Sequence, residues 1–246
     1  MKGISAGAKG ERRTGEASIY AALARLTAPV AFATRGGAAR KLFGFALTEK
    51  ASMLDLRQAA SLTASPTRGA LYLRHALDEE RHAQMFARRA DELRRAAGVD
   101  HFGEPRADSE ALFQRLGEAA FLAFVHRGER RGRQQFEGYR DHFAARGDGK
   151  TRALFEALLD DERRHEAYSR ALLVELSGGE RQARRLLRRS IAWEGLRRWR
   201  RAGRSIAHAA YVLLMGALYL TLAPLALFVR VRRPERAGWR PPAGGP

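Results

Sequence analysis

The chain of 246 residues contains no cysteine. That absence excludes disulfides, thiolate zinc sites, iron–sulfur clusters, rubredoxin-type centres and a cysteine nucleophile. Lysine is nearly missing as well: there are five against 40 arginines, within a formal net charge of +18. Such a bias arises from an arginine-rich coding background as readily as from a polyanionic partner, so charge alone assigns no function. No alternating apolar–polar run of the kind a half-buried strand shows is present. Residues 1–16 lack the apolar core and cleavage site of a secretory leader and read as a frayed segment. What remains, 45% hydrophobic and 29% charged residues, is the composition of a folded protein with a sizeable core.

Four long segments repeat apolar residues at i, i+3 and i+4, the signature of amphipathic helices, so the fold class is all-α. The first runs from Ala38 to Thr63 with Leu42, Phe45, Ala46, Glu49, Met53, Leu56 and Ala60 on one stripe. The second opens at Pro66, a favoured first-turn residue, and ends near Gly98, with Tyr72, Ala76, Glu79, His82, Ala83, Phe86, Ala90 and Leu93 on its stripe. The third spans Ser109–Arg146 through Leu112, Leu116, Leu122, Val125, Glu129, Phe136, Tyr139 and Phe143. The fourth spans Lys150–Leu176 through Leu154, Leu158, Glu162, His165, Tyr168 and Leu172. Ahead of them, Ala17–Thr34 reads as a short helix packed on the body, ended by Gly36-Gly37.

Connection lengths predict the topology. Segments one and two, and segments three and four, are joined by a few residues, which makes each pair antiparallel neighbours. The middle link, from Gly98 to Ser109, is a dozen residues long. At about 3.3 Å per extended residue it can cross most of a bundle's length, giving two antiparallel pairs and one crossover.

Beyond Gly179 the composition changes. Residues 180–204 carry ten arginines interleaved with Leu186, Leu187, Ile191, Trp193, Leu196 and Trp199. Ile206 to Val229 then holds no Asp, Glu, Lys or Arg, and as a helix it would be about 36 Å long, enough to span a bilayer. Arg230, Arg232 and Arg233 stop it. The chain thus reads as an N-terminal extension (1–37), a bundle (38–177), an arginine-rich juxtamembrane amphipathic helix (178–204), a transmembrane helix (205–230) and a basic tail (231–246). Arginines before the span outnumber those after it, which by the positive-inside rule places the bundle in the cytoplasm. Next to a span, the arginine-rich stretch suits anionic lipid headgroups better than a specific nucleic acid.

Polar residues on the apolar stripes are the informative ones, because an unpartnered buried carboxylate is costly. Glu49, Glu79, Glu129 and Glu162 all fall there, joined by His82 and His165, each three residues after a glutamate and so on its face. The strings Asp78-Glu79-Glu80-Arg81-His82 and Asp161-Glu162-Arg163-Arg164-His165 repeat one pattern 83 residues apart. One Glu-x-x-His is unremarkable with seven histidines and 18 glutamates, about half a match being expected, but two copies preceded by Asp are rarer by about three orders of magnitude. Each copy also follows a stripe glutamate at similar spacing, 30 residues from Glu49 and 33 from Glu129, which sets that glutamate at comparable height on the preceding antiparallel helix.

With this pattern the chain resembles the ferritin-like superfamily of rubrerythrin-like di-iron carboxylate four-helix bundles, over about residues 38–176. The resemblance implies that Glu79 and Glu162 bridge two iron ions, with Glu49 and His82 completing one end and Glu129 and His165 the other. Manganese is an alternative occupant of either position. It further implies dioxygen or peroxide at open ligand positions and, without cysteine for a built-in electron-transfer centre, an external electron donor. Asp78 would accept the free N–H of His165, and Asp161 that of His82. Glu137 is the rival of Glu129. His126, one turn before Glu129, is a seventh ligand or, more readily, a supporting or core residue; His75 reads as structural. Tyr139 and Tyr168 are either electron relays near the metals or core aromatics.

Three functions follow: a membrane-anchored oxidoreductase acting on a lipophilic substrate such as a quinone or acyl chain; a ferroxidase or peroxide-detoxifying protein; and a metal-free membrane-tethered interaction module, with a homodimer compatible with each. An apolar tunnel beside the metals would favour the first, a polar approach the second.

Overall fold

A computed structural model of the chain describes residues 19–107 and 109–226. Among them are seven α-helices and no strand: α1 (Ile19–Ala33), α2 (Gly37–Leu62), α3 (Pro66–Ala97), α4 (Leu112–Leu116), α5 (Glu118–Ala145), α6 (Gly149–Leu176) and α7 (Glu180–Ala226). The all-α reading therefore holds among the described residues. The frayed 1–16 segment, the end of the apolar run with its arginine stop, and the basic tail lie outside the described residues. The chain divides into two units, Met1–Ser190 and Ile191–Pro246.

Local chemistry sets the ends of the bundle helices. Ser65 caps α3 by accepting from the Arg68 N–H, with Pro66 filling the first turn where its missing N–H costs nothing. Asp148 caps α6 by accepting from Thr151 N at 3.0 Å. The third helix differs from its sequence expectation. It does not begin at Ser109: Gly117 at φ 76°, ψ 161° adopts a backbone conformation open essentially to glycine alone, and it separates the short α4 from α5.

α2 packs along α3 and α5 along α6. Gly98 ends α3, and Glu118 opens α5 beside the start of α3, accepting from Thr63 Oγ1, Arg68 Nε and Tyr72 Oη at 2.7–2.9 Å. The connection between them therefore travels the length of the bundle, leaning on α2 through Phe102 against Phe43 and Ser109 against Asp55.

The core is layered along the bundle axis. Phe45, Phe86, Phe136, Tyr139, Phe143 and Phe155 form one buried aromatic cluster with Leu42 and Leu158. Four of these rings lie one or two turns from the stripe glutamates along their helices: Phe45 before Glu49, Phe86 after Glu79, Phe136 after Glu129 and Phe155 before Glu162. On the far side Tyr72 packs edge-on against Phe121. Burial of each such ring is worth about 1.5–3 kcal/mol, and the two apolar layers confine the polar residues between them.

α1 packs on α5 in an inverted manner. Its buried face is small, made of Ala21, Ala24, Ala28 and Phe32, while Leu26 and Val30 are 74% and 76% exposed. The approach is close because α5 carries Gly138 at the crossing, where an added Cβ would stand 3.0 Å from Ala24 Cβ and 3.1 Å from Ala21 O.

In the second unit, Ile206–Ala223 is the one stretch among the described residues long and apolar enough to cross a membrane. Side chains from Ile206 to Leu222 are exposed throughout.

The close crossing generates a prediction. Gly138→Leu gains about 1 kcal/mol of helix propensity yet should destabilise the protein by about 1–3 kcal/mol net, because the side chain wedges α1 off α5. Thermal unfolding of the variant checks this; an unchanged or higher midpoint contradicts it.

Candidate metal centre

Between the two apolar layers, α2, α3, α5 and α6 each supply one glutamate to a single chamber. Glu49, Glu79, Glu129 and Glu162 are all buried, with Glu79 only 1% exposed. The carboxyl groups of Glu49 and Glu79 adjoin, as do those of Glu129 and Glu162. His82 and His165 enter from α3 and α6. Two groups of donor atoms lie within 4.8 Å of one another: His75, Glu79, Glu129 and His165, and Glu79, His82 and Glu162. Glu79 belongs to both.

The histidines are held from behind. His82 Nε2 donates to Asp161 Oδ2 at 3.0 Å, and His165 Nε2 to Asp78 Oδ2 at 3.2 Å, so each helix's aspartate steadies the other helix's imidazole. Arg81 bonds both Asp78 and Asp161, and Arg164 also bonds Asp161. Because Asp161 stays ionised, held down against burial by His82 and Arg164, the proton of neutral His82 sits on Nε2 and Nδ1 keeps its lone pair. That Nδ1 stands 3.6 Å from Glu162 Oε1; His165 Nδ1 stands 3.6 Å from Glu79 Oε1 and 3.7 Å from Glu129 Oε2.

These atoms test whether a metal pair fits. Glu79 Oε2, His82 Nδ1 and His165 Nδ1 are buried and make no hydrogen bond. An orphaned buried polar atom costs about 1–3 kcal/mol, and here three face a common centre. Two donors on one ion with bonds of about 2.1 Å stand about 3–4 Å apart, the separation found between these nitrogens and oxygens. Four carboxylates also match the charge of two divalent cations, and imidazole with carboxylate is a donor set suited to iron or manganese. The residues fit the group.

Without a cation the chamber is electrostatically tense. Burial pushes Glu49 up to about 7. Glu79 and Glu162 rise well above the usual carboxyl range, through burial first and neighbouring carboxylates second. Glu129 goes the other way: burial raises it, but the His75 and His165 imidazoles outweigh burial. Burial lowers His82, whereas Glu129 and Asp78 overcome burial to raise His165.

The remaining sequence candidates fall elsewhere or take other roles. His126 turns from the chamber: its Nδ1 bonds the Glu166 carbonyl at 3.1 Å, which satisfies it within the α5–α6 seam. Tyr139 belongs to the aromatic cluster, packed among Phe32, Phe45 and Phe155 rather than beside the glutamates. Glu137, the rival of Glu129, pairs with Arg133. Tyr168 does reach the chamber, through its hydroxyl bond of 2.5 Å to His75 Nδ1. His75, which the sequence reads as structural, also stands in the chamber. It is 1% exposed, its Nε2 lies 2.8 Å from Glu79 Oε1, and burial lowers it to about 3. Its signal was present in its position four residues before Glu79 and seven before His82, on the same stripe.

Residues 57–173 match the protein-family model described as Rubrerythrin. The match takes in Glu79, His82, Glu129, Glu162 and His165, five of the six candidate residues on the stripes, and stops short of Glu49. No curated protein and no solved structure matches the chain.

Two expectations follow. A carboxyl whose pKa is higher folded than unfolded adds stability below its unfolded value and loses it as pH rises through the folded one. Above pH 7 unfolded histidine is already neutral, so the groups raised in the folded protein, Glu79 and Glu162 together with His165, set the slope, all with the same sign. Thermal unfolding in chelator should therefore show stability falling from pH 7 to 9, at no more than about 1.4 kcal/mol per pH unit for each carboxyl, and less steeply in Glu162→Gln. A flat profile contradicts it. Asp161→Asn, which loosens His82, should weaken metal binding about 10- to 100-fold in a competition titration.

Proposed function

From the Rubrerythrin-family domain at residues 57–173, we propose that the chain is a di-iron oxidoreductase that reacts with dioxygen or peroxide and is anchored by the helix at Ile206–Ala223. The observation that carries this reading is the set of three orphaned buried atoms, Glu79 Oε2, His82 Nδ1 and His165 Nδ1, facing one chamber with four glutamates. Glu79 and Glu162 would bridge the two ions, His82 with Glu49 and His165 with Glu129 would hold the two ends, and manganese is an alternative occupant.

The chamber would hold two ferrous ions, whose bound pair would supply the two electrons needed to reduce dioxygen or peroxide, which no side chain of the chamber provides alone. The chain's own residues do the rest. Asp78 and Asp161 fix which imidazole nitrogen faces inward, so no reorganisation is needed on loading. Glu49, Glu79 and Glu162 hold protons before loading and must release them to bind cations, which makes affinity rise with pH. The aromatic layer around Phe45, Phe86 and Phe136 excludes water from one side. Electrons for repeated turnover come from an external donor, since the chain has no cysteine for a centre of its own.

An open groove of about 410 Å³ on the α5–α6 seam is lined by His126, Arg133, Arg163, Glu166, Ala167 and Arg170, and holds none of the chamber's carboxylates or motif histidines. Oxidation of a lipophilic substrate and iron or peroxide detoxification are both compatible with the chamber, and the assay below separates them. The arginines of residues 181–204 would meet anionic headgroups.

The full chain in detergent, loaded anaerobically with Fe²⁺, should bind about two ions and develop a near-ultraviolet charge-transfer band on adding peroxide or dioxygen. Glu79→Ala should bind less than half as much iron and develop no band. A colourless, metal-free wild type rejects the reading. Oxidation of many Fe²⁺ equivalents per chain without organic substrate favours detoxification.

A further inference from the structure

We propose that His75 is a third imidazole ligand, joining Glu79, Glu129 and His165, so that the two metal positions differ in their nitrogen donors. The inference rests on the di-metal reading above and concerns a residue outside both Glu-x-x-His motifs.

Three features of the geometry point to it. His75 Nε2 stands 2.8 Å from Glu79 Oε1 and 3.5 Å from Glu129 Oε1, separations that two donors on one ion adopt. Its ring lies alongside that of His165, with centroids 3.7 Å apart and planes 34° apart, so the two imidazoles address one end of the chamber together. And its other nitrogen is engaged: Nδ1 meets the Tyr168 hydroxyl at 2.5 Å. Every histidine of the chamber thus has one nitrogen among the carboxylates and one fixed from behind, His82 by Asp161, His165 by Asp78 and His75 by Tyr168. A ligating histidine is commonly held in this way, with the far N–H donated to a fixed acceptor.

The arrangement has a rival that uses the same atoms. If Nε2 carries the proton and donates to Glu79, Nδ1 accepts from Tyr168 and His75 only positions the carboxylate. The two states differ in which ring nitrogen bears hydrogen. In the ligand state His75 Nδ1–H donates to Tyr168 Oη, and Nε2 offers its lone pair to the ion shared with Glu79. The opposite end of the chamber, at His82 and Glu162, has no such added imidazole in its donor group.

The experiment loads the full chain with Co²⁺ and counts exchangeable ring N–H resonances shifted outside the diamagnetic range in the proton spectrum. The large contact shifts counted here reach a ring N–H only through a metal–imidazole bond, whereas a neighbouring unbound ring receives only a smaller through-space shift. Three are expected in the wild type, from His75 Nδ1–H and from Nε2–H of His82 and His165. His75→Gln should leave two and weaken one Co²⁺ equivalent by at least about tenfold, while His126→Gln changes neither. Glutamine keeps an amide able to bond Glu79, so a positioning role would survive it. Two resonances in the wild type, both retained with unchanged affinity in His75→Gln, overturn the proposal and leave the metal site standing. A wild type that binds no Co²⁺ overturns the metal site itself, and the proposal with it. Where His75→Gln does not fold, the wild-type count alone decides: three supports, two overturns.

Discussion

The bundle is organised around the burial of four carboxyl groups in one place. Such a cluster is unfavourable in a low-dielectric interior unless something cancels its charge, and this chain cancels it in layers. Protons remain on the carboxyls most strongly disfavoured as anions, and Glu129 is served by the adjacent His75 and His165. Behind the imidazoles, Asp78 and Asp161 stand in a lattice with Arg81 and Arg164, which carries positive charge to the rim of the chamber. The aromatic layer on one side and Tyr72 with Phe121 on the other leave the helices only one level at which these groups can meet. The cost of burying these groups is concentrated at that level, in a preformed chamber whose donor atoms could hold metal ions.

Much of this is written in the one-dimensional pattern. Helix limits drawn from apolar periodicity agree with the structure to within a residue or two for α2, α3 and α6, because each segment has one dominant stripe and a marked start: the left-handed Gly36 before α2, Ser65-Pro66 at α3 and Asp148 at α6. The glutamates are legible for the same reason: a charge at a stripe position is conspicuous, and its height follows from short loops joining antiparallel neighbours. The start of α5 was less legible, since the periodicity continues through Gly117 and only the dihedral angles of that residue reveal the break.

The roles of the two remaining histidines near the motifs could not be ranked from spacing. His126 precedes Glu129 by three residues and His75 precedes Glu79 by four, so both share a helical face with a stripe glutamate. What separates them is the neighbour each meets: His126 finds a carbonyl on α6 at 3.1 Å, whereas His75 finds a carboxylate and a tyrosine. That is tertiary information. The orientation of α1 was hidden for a related reason, because a mildly apolar helix does not state which face it buries, and here the bulkier residues are the outward ones.

The crossed aspartate–histidine bonds between α3 and α6 divide the chamber into parts that can move and parts that cannot. Sliding one helix along the other by a single turn, about 5.4 Å, would sever both bonds at once, so the nitrogen donors share a locked register. Glu49 and Glu129 come from α2 and α5, outside that lock, and Gly132 leaves only 3.3 Å from where a Cβ would stand to Glu162 Oε2. Any breathing of the chamber therefore falls to carboxylates swinging about fixed imidazole pivots.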